Sequence, residues 1–242
     1  MLFKKIIRLF DDGNVCVCGQ RGKGKDMLTA NVIARRKKPY VANIDYTHDE
    51  LFQKLDFDKI DCGKNTYMDL IRGNVKYYKY PYEMGSDIYI SDAGIYLPSQ
   101  HCNELNRDFK YLPTFFAVSR HVARANVHIN VQHLARLWDK LREQAGDVYI
   151  RCRFCKVLFG KIVIQKITLY DKYQSALDRV EPCRITVPLL AKREVKQNAQ
   201  IYLDKFRNTY GMVRNGLLIY INKSTYDTHH FERLFAEGQR KE

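Results

Sequence analysis

No run of apolar residues in this 242-residue sequence approaches the roughly 18 that a membrane-spanning helix requires. The longest, LPTFFAV at 112–118 and GLLIYI at 216–221, have the length of a core strand or a buried helix. Proline and glycine are sparse, 6 and 13 residues, and no low-complexity tract or internal repeat is visible, which excludes a fibrous or repeat architecture. Acidic residues are in deficit: 27 against 41 Lys and Arg, a net charge of +14. An excess of this size favours a polyanionic partner, nucleic acid or an acidic membrane leaflet, and its densest run is Arg35-Arg36-Lys37-Lys38. Seven cysteines make an odd count without secretory context, so reduced intracellular thiols are expected. The pair Cys152 and Cys155 is a lone C-x-x-C; a structural zinc needs four ligands, and no second pair follows at the spacing that would supply them.

At 45% hydrophobic and 28% charged residues the composition is that of a globular protein, and one domain is the natural reading of this length. The opening MLFKKIIRLF is too short and mixed for a signal peptide. It is expected to pack on the domain as a short amphipathic lead-in, with a place on a membrane surface as the alternative. Residues 14–18, NVCVC, form a buried-type strand that runs directly into glycines, and 27–35 follow with apolar residues at helical spacing, closed by basic residues and Pro39. Further strands are expected at 39–44, 87–92 and 127–131, with a helix over 112–124. A second helix is expected over 133–144, placing Leu134, Leu137, Trp138 and Leu141 on one face. Residues 149–171 read as two strands joined by a tight turn at Phe159-Gly160, while 45–85 show no clear period. Strands alternating with helices predict an α/β fold with a mainly parallel central sheet flanked by helices, plus a β-hairpin toward the C-terminus. The division expected is a lead-in over 1–12, a core over 13–150 and a β-rich extension over 151–242 of the same domain.

Residues 19–26 read GQRGKGKD. Placed after a strand and before a helix, the pattern fits a phosphate-binding loop up to Lys25: glycines let backbone N–H groups approach phosphate, and Lys25 reaches the outer phosphates. The residue that normally follows is a serine or threonine whose hydroxyl holds magnesium, and here it is Asp26. A carboxylate in the first turn of a helix gains only about 0.3–1 kcal/mol from the dipole. Beside a phosphate at about 4 Å it costs roughly 4 kcal/mol at an effective dielectric near 20. Asp26 therefore either abolishes nucleotide binding or is itself a magnesium ligand. The strand at 87–92 ends in Ser91-Asp92, where phosphate-loop ATPases usually carry Asp-Glu. With Asp92 as the catalytic acid, Ser91 stands where the magnesium carboxylate belongs, so a hydroxyl and a carboxylate have exchanged places. The opposing reading is that both positions drifted and the site is dead.

Four stretches carry a resemblance to a known family: GQRGKGK, ISDAGIYLPSQ, SRHVARANVHINVQHLARLWDKLRE and STYDTHHFE. They frame about residues 15–235, and the second and third are the distinctive ones. The sequence resembles the zonula-occludens-toxin-like assembly ATPases of filamentous phages, within the FtsK–HerA group of DNA-translocating motors. The resemblance implies a P-loop NTPase fold, ATP with Mg2+ as cofactor, and viral DNA as partner, with virion assembly as the task. It implies that Gly19, Gln20, Arg21, Gly22, Lys23, Gly24, Lys25, Asp26 and Met27 hold the nucleotide. Asp26 and Ser91 would hold the metal, Asp92 would stand at the catalytic acid, and Gln132 would be the polar sensor beside the γ-phosphate. Arg120, in a basic cluster with His121 and Arg124, is the candidate arginine supplied by a neighbouring subunit, which implies a homo-oligomeric ring; a solvated helix end or a DNA contact are the alternatives. Members of that family often continue into a membrane span, which this sequence lacks. The expected location is therefore the host cytoplasm, with attachment to the inner face of the membrane through an assembly partner. Tyr226, Asp227, His229 and His230 are expected to form a capped turn rather than a metal or acid–base site. The rival to the ATPase is a nucleotide-free DNA-binding or assembly scaffold that keeps the fold and the charge.

Overall fold

The computed structural model describes residues 2–60, 80–142, 144–159, 161–170, 197 and 212–221. Its centre is an eight-stranded sheet in the order β3-β2-β4-β5-β1-β6-β7-β8. The strands are β1 (Val15–Cys18), β2 (Tyr40–Ala42), β3 (Phe52–Lys54), β4 (Asp87–Ile90), β5 (Val127–Val131), β6 (Val148–Leu158), β7 (Ile162–Tyr170) and β8 (Met212–Ile221). Every pairing from β3 through β6 is parallel, and β7 and β8 add antiparallel. The expected hairpin is thus an extension of the main sheet, since β6 also pairs with β1, and β8 lengthens it to three strands.

Parallel strands covered on both faces must be apolar throughout, and β1, β4 and β5 are buried at every position. The alternation of β1 decides what covers it. Val15 and Val17 meet Ile6 and Phe10 of α1 (Leu2–Asp12) and Leu28 and Val32 of α2 (Lys25–Arg36). Cys16 and Cys18 face the opposite layer, with Phe115, Phe116 and Trp138. The lead-in is therefore a packed helix, as its pattern predicts, because Ile6 and Phe10 have no exposure and each such side chain contributes about 1.5–3 kcal/mol by leaving water. Lys37 ends α2 in the left-handed conformation (φ 50°), its N–H bonded to Ile33 O at 3.2 Å, just before Pro39.

One expected element is corrected. Residues 133–144 are not a continuous helix: a 3-10 turn at Leu134–Arg136 is followed by a separate short helix at Asp139–Arg142. The interruption has a tertiary cause. Leu137 pairs with Pro98 as an isolated bridge, and Trp138 N donates to Leu97 O at 2.8 Å, so the backbone at 137–138 is committed to another segment. Arg142 Nη2 caps the break through Leu137 O (2.8 Å) and Ala135 O (3.1 Å). Leu134, Leu137, Trp138 and Leu141 are nonetheless all buried, so the apolar pattern is right about the side chains and wrong about the path. Within 45–85, β3 is an unforeseen edge strand, three residues long and paired only with β2 among the described residues.

Candidate functional site

All six parallel strands point their carboxyl ends to one edge, where open α/β sheets bind ligands. The chain leaves β1 there through Gly19, whose φ of 150° and neighbourhood both require glycine: a Cβ would lie 2.4 Å from Cys152 O. Gly24 precedes α2 in the left-handed region (φ 79°), and a Cβ on it would meet Cys155 Sγ at 2.6 Å. Gln165, buried on β7, clamps this turn. Its Nε2 donates to Gly24 O (2.9 Å) and Lys23 O (3.2 Å), and its Oε1 accepts from Tyr220 OH (3.0 Å). The loop's carbonyls are thereby held against β7. The first turn of α2 then supplies the N–H groups that have no intrahelical acceptor, the donor set a phosphate uses. Lys25 is the first residue of that turn and is 5% exposed.

Asp26 is brought directly to the end of β4. Its Oδ1 accepts from Ser91 Oγ (2.6 Å), from Asn130 Nδ2 (2.8 Å) and from Tyr46 OH (3.3 Å). The Ser91–Asp26 contact joins the two positions where hydroxyl and carboxylate depart from the usual loop and strand end. Ser91 is itself fixed by Asn43, which accepts from Ser91 N at 2.7 Å and donates to Ser91 O at 2.9 Å. Asn130 is oriented by Thr29, whose hydroxyl donates to Asn130 Oδ1 at 3.1 Å. Asn130, Tyr46, Asn43, Thr29 and Gln165 escape a reading by motif. A weak signal exists for Asn130: a polar side chain at the next-to-last position of a fully buried strand must find partners inside the protein.

Asp92 follows Ser91 at φ 45°, a left-handed turn that Asp tolerates better than most residues. Its carboxyl is held above the ordinary value, chiefly by burial and then by the charge of Asp26; Lys25, a hydrogen bond from Gln132 and Arg21 act in the opposite sense. Asp92, Gln132, Asp26, Lys25 and Arg21 thus form one electrostatic neighbourhood at the ends of β1, β4 and β5. On the other side of Gln132 lies a cavity of about 340 Å³, between Gly19, Gln20 and Lys23 of the loop and Arg151, Arg153 and Lys166 of β6 and β7.

Arg120 is elsewhere. It lies near the end of a helix at Leu112–Val122, with Nη2 donating to Asp12 O at 2.9 Å and Nη1 3.9 Å from Asp147. Asp12 precedes β1 and Asp147 precedes β6, so Arg120 occupies the amino ends of the strands, opposite the loop within one chain. Cys152 and Cys155 are both free thiols and sit under the loop. A register shift between Cys152 and Phe154 brings these two cysteines, three residues apart, to the same face of β6. Burial raises both thiols above their ordinary value, most strongly Cys152. Among the described residues no group of three or more His, Cys, Asp or Glu gathers as metal ligands, and no helix is long and apolar enough to cross a membrane. Tyr226, Asp227, His229 and His230 lie outside the described residues.

No protein-family model matches the sequence, and no curated protein matches it. Among solved structures, the chain is similar to the N-terminal domain of zonular occludens toxin from Neisseria meningitidis. The two are 15% identical with a TM-score of 0.46, over 91% of this chain and 97% of that one. It is also similar to the genome packaging NTPase B204 of Sulfolobus turreted icosahedral virus 2, solved with AMPPCP. There the identity is 13% and the TM-score 0.40, over 66% of this chain and 92% of that one. EssC (ATPases 2 and 3) from Geobacillus thermodenitrificans gives 12% and 0.38, over 83% and 45%. At these identities and scores the likenesses decide no activity.

Proposed function

We propose that this chain is a magnesium-dependent ATPase of virion assembly that drives viral DNA through a homo-oligomeric ring. The observation that carries the reading is the convergence of Lys25, Asp26, Ser91, Asp92 and Gln132 at the carboxyl ends of three adjacent parallel strands. In this reading residues 19–27, Gly19 through Met27, hold the nucleotide through the loop and the first turn of α2. The donor set fits a small hard cation: Ser91 Oγ donates a hydrogen bond to Asp26 Oδ1 and keeps its lone pairs, and Asp26 Oδ2 takes no part in the three bonds on Oδ1. Magnesium would there neutralise the outer phosphates. Asp92, with its raised carboxyl, orients and accepts a proton from the attacking water, and Gln132 fixes that carboxylate. The direction of use, DNA extrusion or packaging, follows the family resemblance together with the charge of +14. Arg120 serves such a site only from a neighbouring subunit whose amino-end face meets this carboxyl edge, which calls for a head-to-tail ring. Attachment to a membrane would run through a partner.

The test is Lys25→Ala. Calorimetry is expected to show ATP affinity falling by two orders of magnitude or more, about 2.7 kcal/mol, with the circular dichroism spectrum unchanged. Equal affinity in both proteins would sink the nucleotide site and leave the scaffold reading in its place.

A further inference from the structure

Strands β6, β7 and β8 are covered unequally on their two faces. On one face Val163, Leu218 and Tyr220 are buried where α1 packs, and Phe3 stacks on Tyr220 with ring centroids 4.9 Å apart. On the other, the register sets Leu158 opposite Ile162, Ile162 opposite Ile221, and Ile164 opposite Ile219. That face meets solvent: Ile219 is 63% exposed, and Leu217 and Ile221 are 54% exposed each. Lys156, opposite Ile164, is exposed on the same face. The apolar character continues into the turn, where Phe159 is 92% exposed at φ 52°, a left-handed conformation that suits glycine or asparagine better than an aromatic residue. A turn that only reversed the chain would gain from a smaller residue, so the ring has its use outside the fold. The hairpin also projects. β6 keeps level with β1 as far as Arg151 and continues through residues 152–158, roughly 20 Å beyond the end of β1 at about 3.3 Å per residue.

We infer that this projecting apolar face and its tip form a contact surface for an anionic lipid bilayer. The chemistry of the surface selects lipid over a second protein. No aspartate or glutamate occurs in β6, β7 or β8, and the exposed Lys156 and Lys161 flank the tip. Lysine is depleted in protein interfaces, because its strongly hydrated ammonium is expensive to bury. At a bilayer the same lysine stays among the headgroup phosphates while its apolar neighbours enter the acyl boundary. A second copy is the poorer occupant for another reason: each chain carries +14, so two basic faces repel, whereas an anionic leaflet attracts. Shape agrees, since a projecting tip enters a soft interface without the matching cavity that a folded partner must provide. The surface lies apart from the residues assigned to the nucleotide site, and the inference does not rest on that assignment. It gives the chain a lipid contact of its own, beside any attachment through a partner.

The experiment uses the full chain with vesicles of equal parts phosphatidylcholine and phosphatidylglycerol, and vesicles of phosphatidylcholine alone as the control. Co-sedimentation is expected to show binding to the anionic vesicles and much weaker binding to the neutral ones. Phe159→Ala is expected to weaken it about tenfold, the loss for an aromatic side chain withdrawn from water. Lys156→Gln and Lys161→Gln are expected to weaken it about fivefold each. All three side chains are exposed, so the variants should fold, and ATP affinity by calorimetry is expected to stay at the wild-type value. Phe159→Trp gives a direct reading, because the one native tryptophan, Trp138, is fully buried. Emission from position 159 should shift to the blue when anionic vesicles are added. Absence of binding to anionic vesicles at low salt would overturn the inference. So would binding that ignores Phe159→Ala and leaves the Phe159→Trp emission unmoved, since another surface would then hold the lipid. Sedimentation velocity without lipid reads the rival occupant: self-association abolished by Phe159→Ala and by Ile219→Asp would assign the face to a second copy. Lys25→Ala tests ATP binding separately, so either reading can fail without the other.

Discussion

Replacing Asp26 by asparagine isolates the charge from the geometry. The three bonds to Asp26 all end on Oδ1, from Ser91, Asn130 and Tyr46, and an asparagine carbonyl can accept all three. Bonds to a charged acceptor contribute about 1.5–3 kcal/mol and those to a neutral one about 0.5–1.5 kcal/mol. Over three bonds the fold should therefore lose on the order of 3–4 kcal/mol, a clear fall in thermal midpoint. The effect on ATP changes sign with magnesium. Asp26 is partly buried in the first turn of α2, where an effective dielectric near 20 applies, so a phosphate about 4 Å away is disfavoured by roughly 4 kcal/mol. Removing the charge should tighten ATP binding in a chelator by about two to three orders of magnitude. With saturating magnesium the wild type gains a carboxylate–cation bond that the variant lacks, so the order should close up or reverse. Isothermal titration with and without magnesium measures both limbs. If Asp26→Asn improved affinity equally in both conditions, Asp26 would be a repelling charge and no cation ligand. Identical affinity for wild type and variant in chelator would remove the phosphate from its vicinity altogether.

Gly24→Ala places a β-carbon 2.6 Å from Cys155 Sγ in a left-handed backbone that costs about 1–2 kcal/mol for a residue with Cβ; ATP affinity should collapse, and Cys155→Ala in the same chain should recover part of it, read by calorimetry. Gln165→Leu leaves the carbonyls of Lys23 and Gly24 and the Tyr220 hydroxyl without their partner, a loss of about 1–3 kcal/mol. Its signature should be faster amide exchange in residues 19–28 together with weaker nucleotide binding. Burial holds the His128 imidazole below its ordinary 6.5, with Asp87 at 3.8 Å opposing that shift only in part. A lowered histidine means the unfolded chain binds more protons, so stability is level above about pH 6.5 and falls as pH drops below it. Thermal melts from about pH 7 to about pH 5 should show this fall, and His128→Asn should flatten it; an unchanged slope would place the titrating group elsewhere.

The local sequence was sufficient for elements whose partners are close along the chain. The apolar tetrapeptide at 15–18, the glycines after it and the periodic helix at 25–36 specify strand, loop and helix together, because backbone freedom at glycine and the 3.6-residue spacing act over a few residues. The same holds for β5, whose bounds at 127–131 are those its pattern predicts. The exchange of hydroxyl and carboxylate between positions 26 and 91 was also legible, since each departs from an expected residue type. Their 2.6 Å contact was not, because 65 residues separate them and only the order of β1, β5 and β4 in the sheet brings the loop over the end of β4. The supporting shell was equally out of reach: Asn43 and Tyr46, Asn130, and Gln165 come from three separate segments and have no spacing to reveal them. The helix expected over 133–144 failed for the complementary reason. Its side chains obey the helical period, but the backbone of 137–138 bonds to 97–98, and pairing with a segment distant in sequence outweighs a local propensity of a few tenths of a kcal/mol per residue. Arg120 shows the same limit at the scale of the whole sheet, since a basic helix end is visible in sequence, while the end of the sheet it occupies is fixed only by the direction in which its helix packs against the strands.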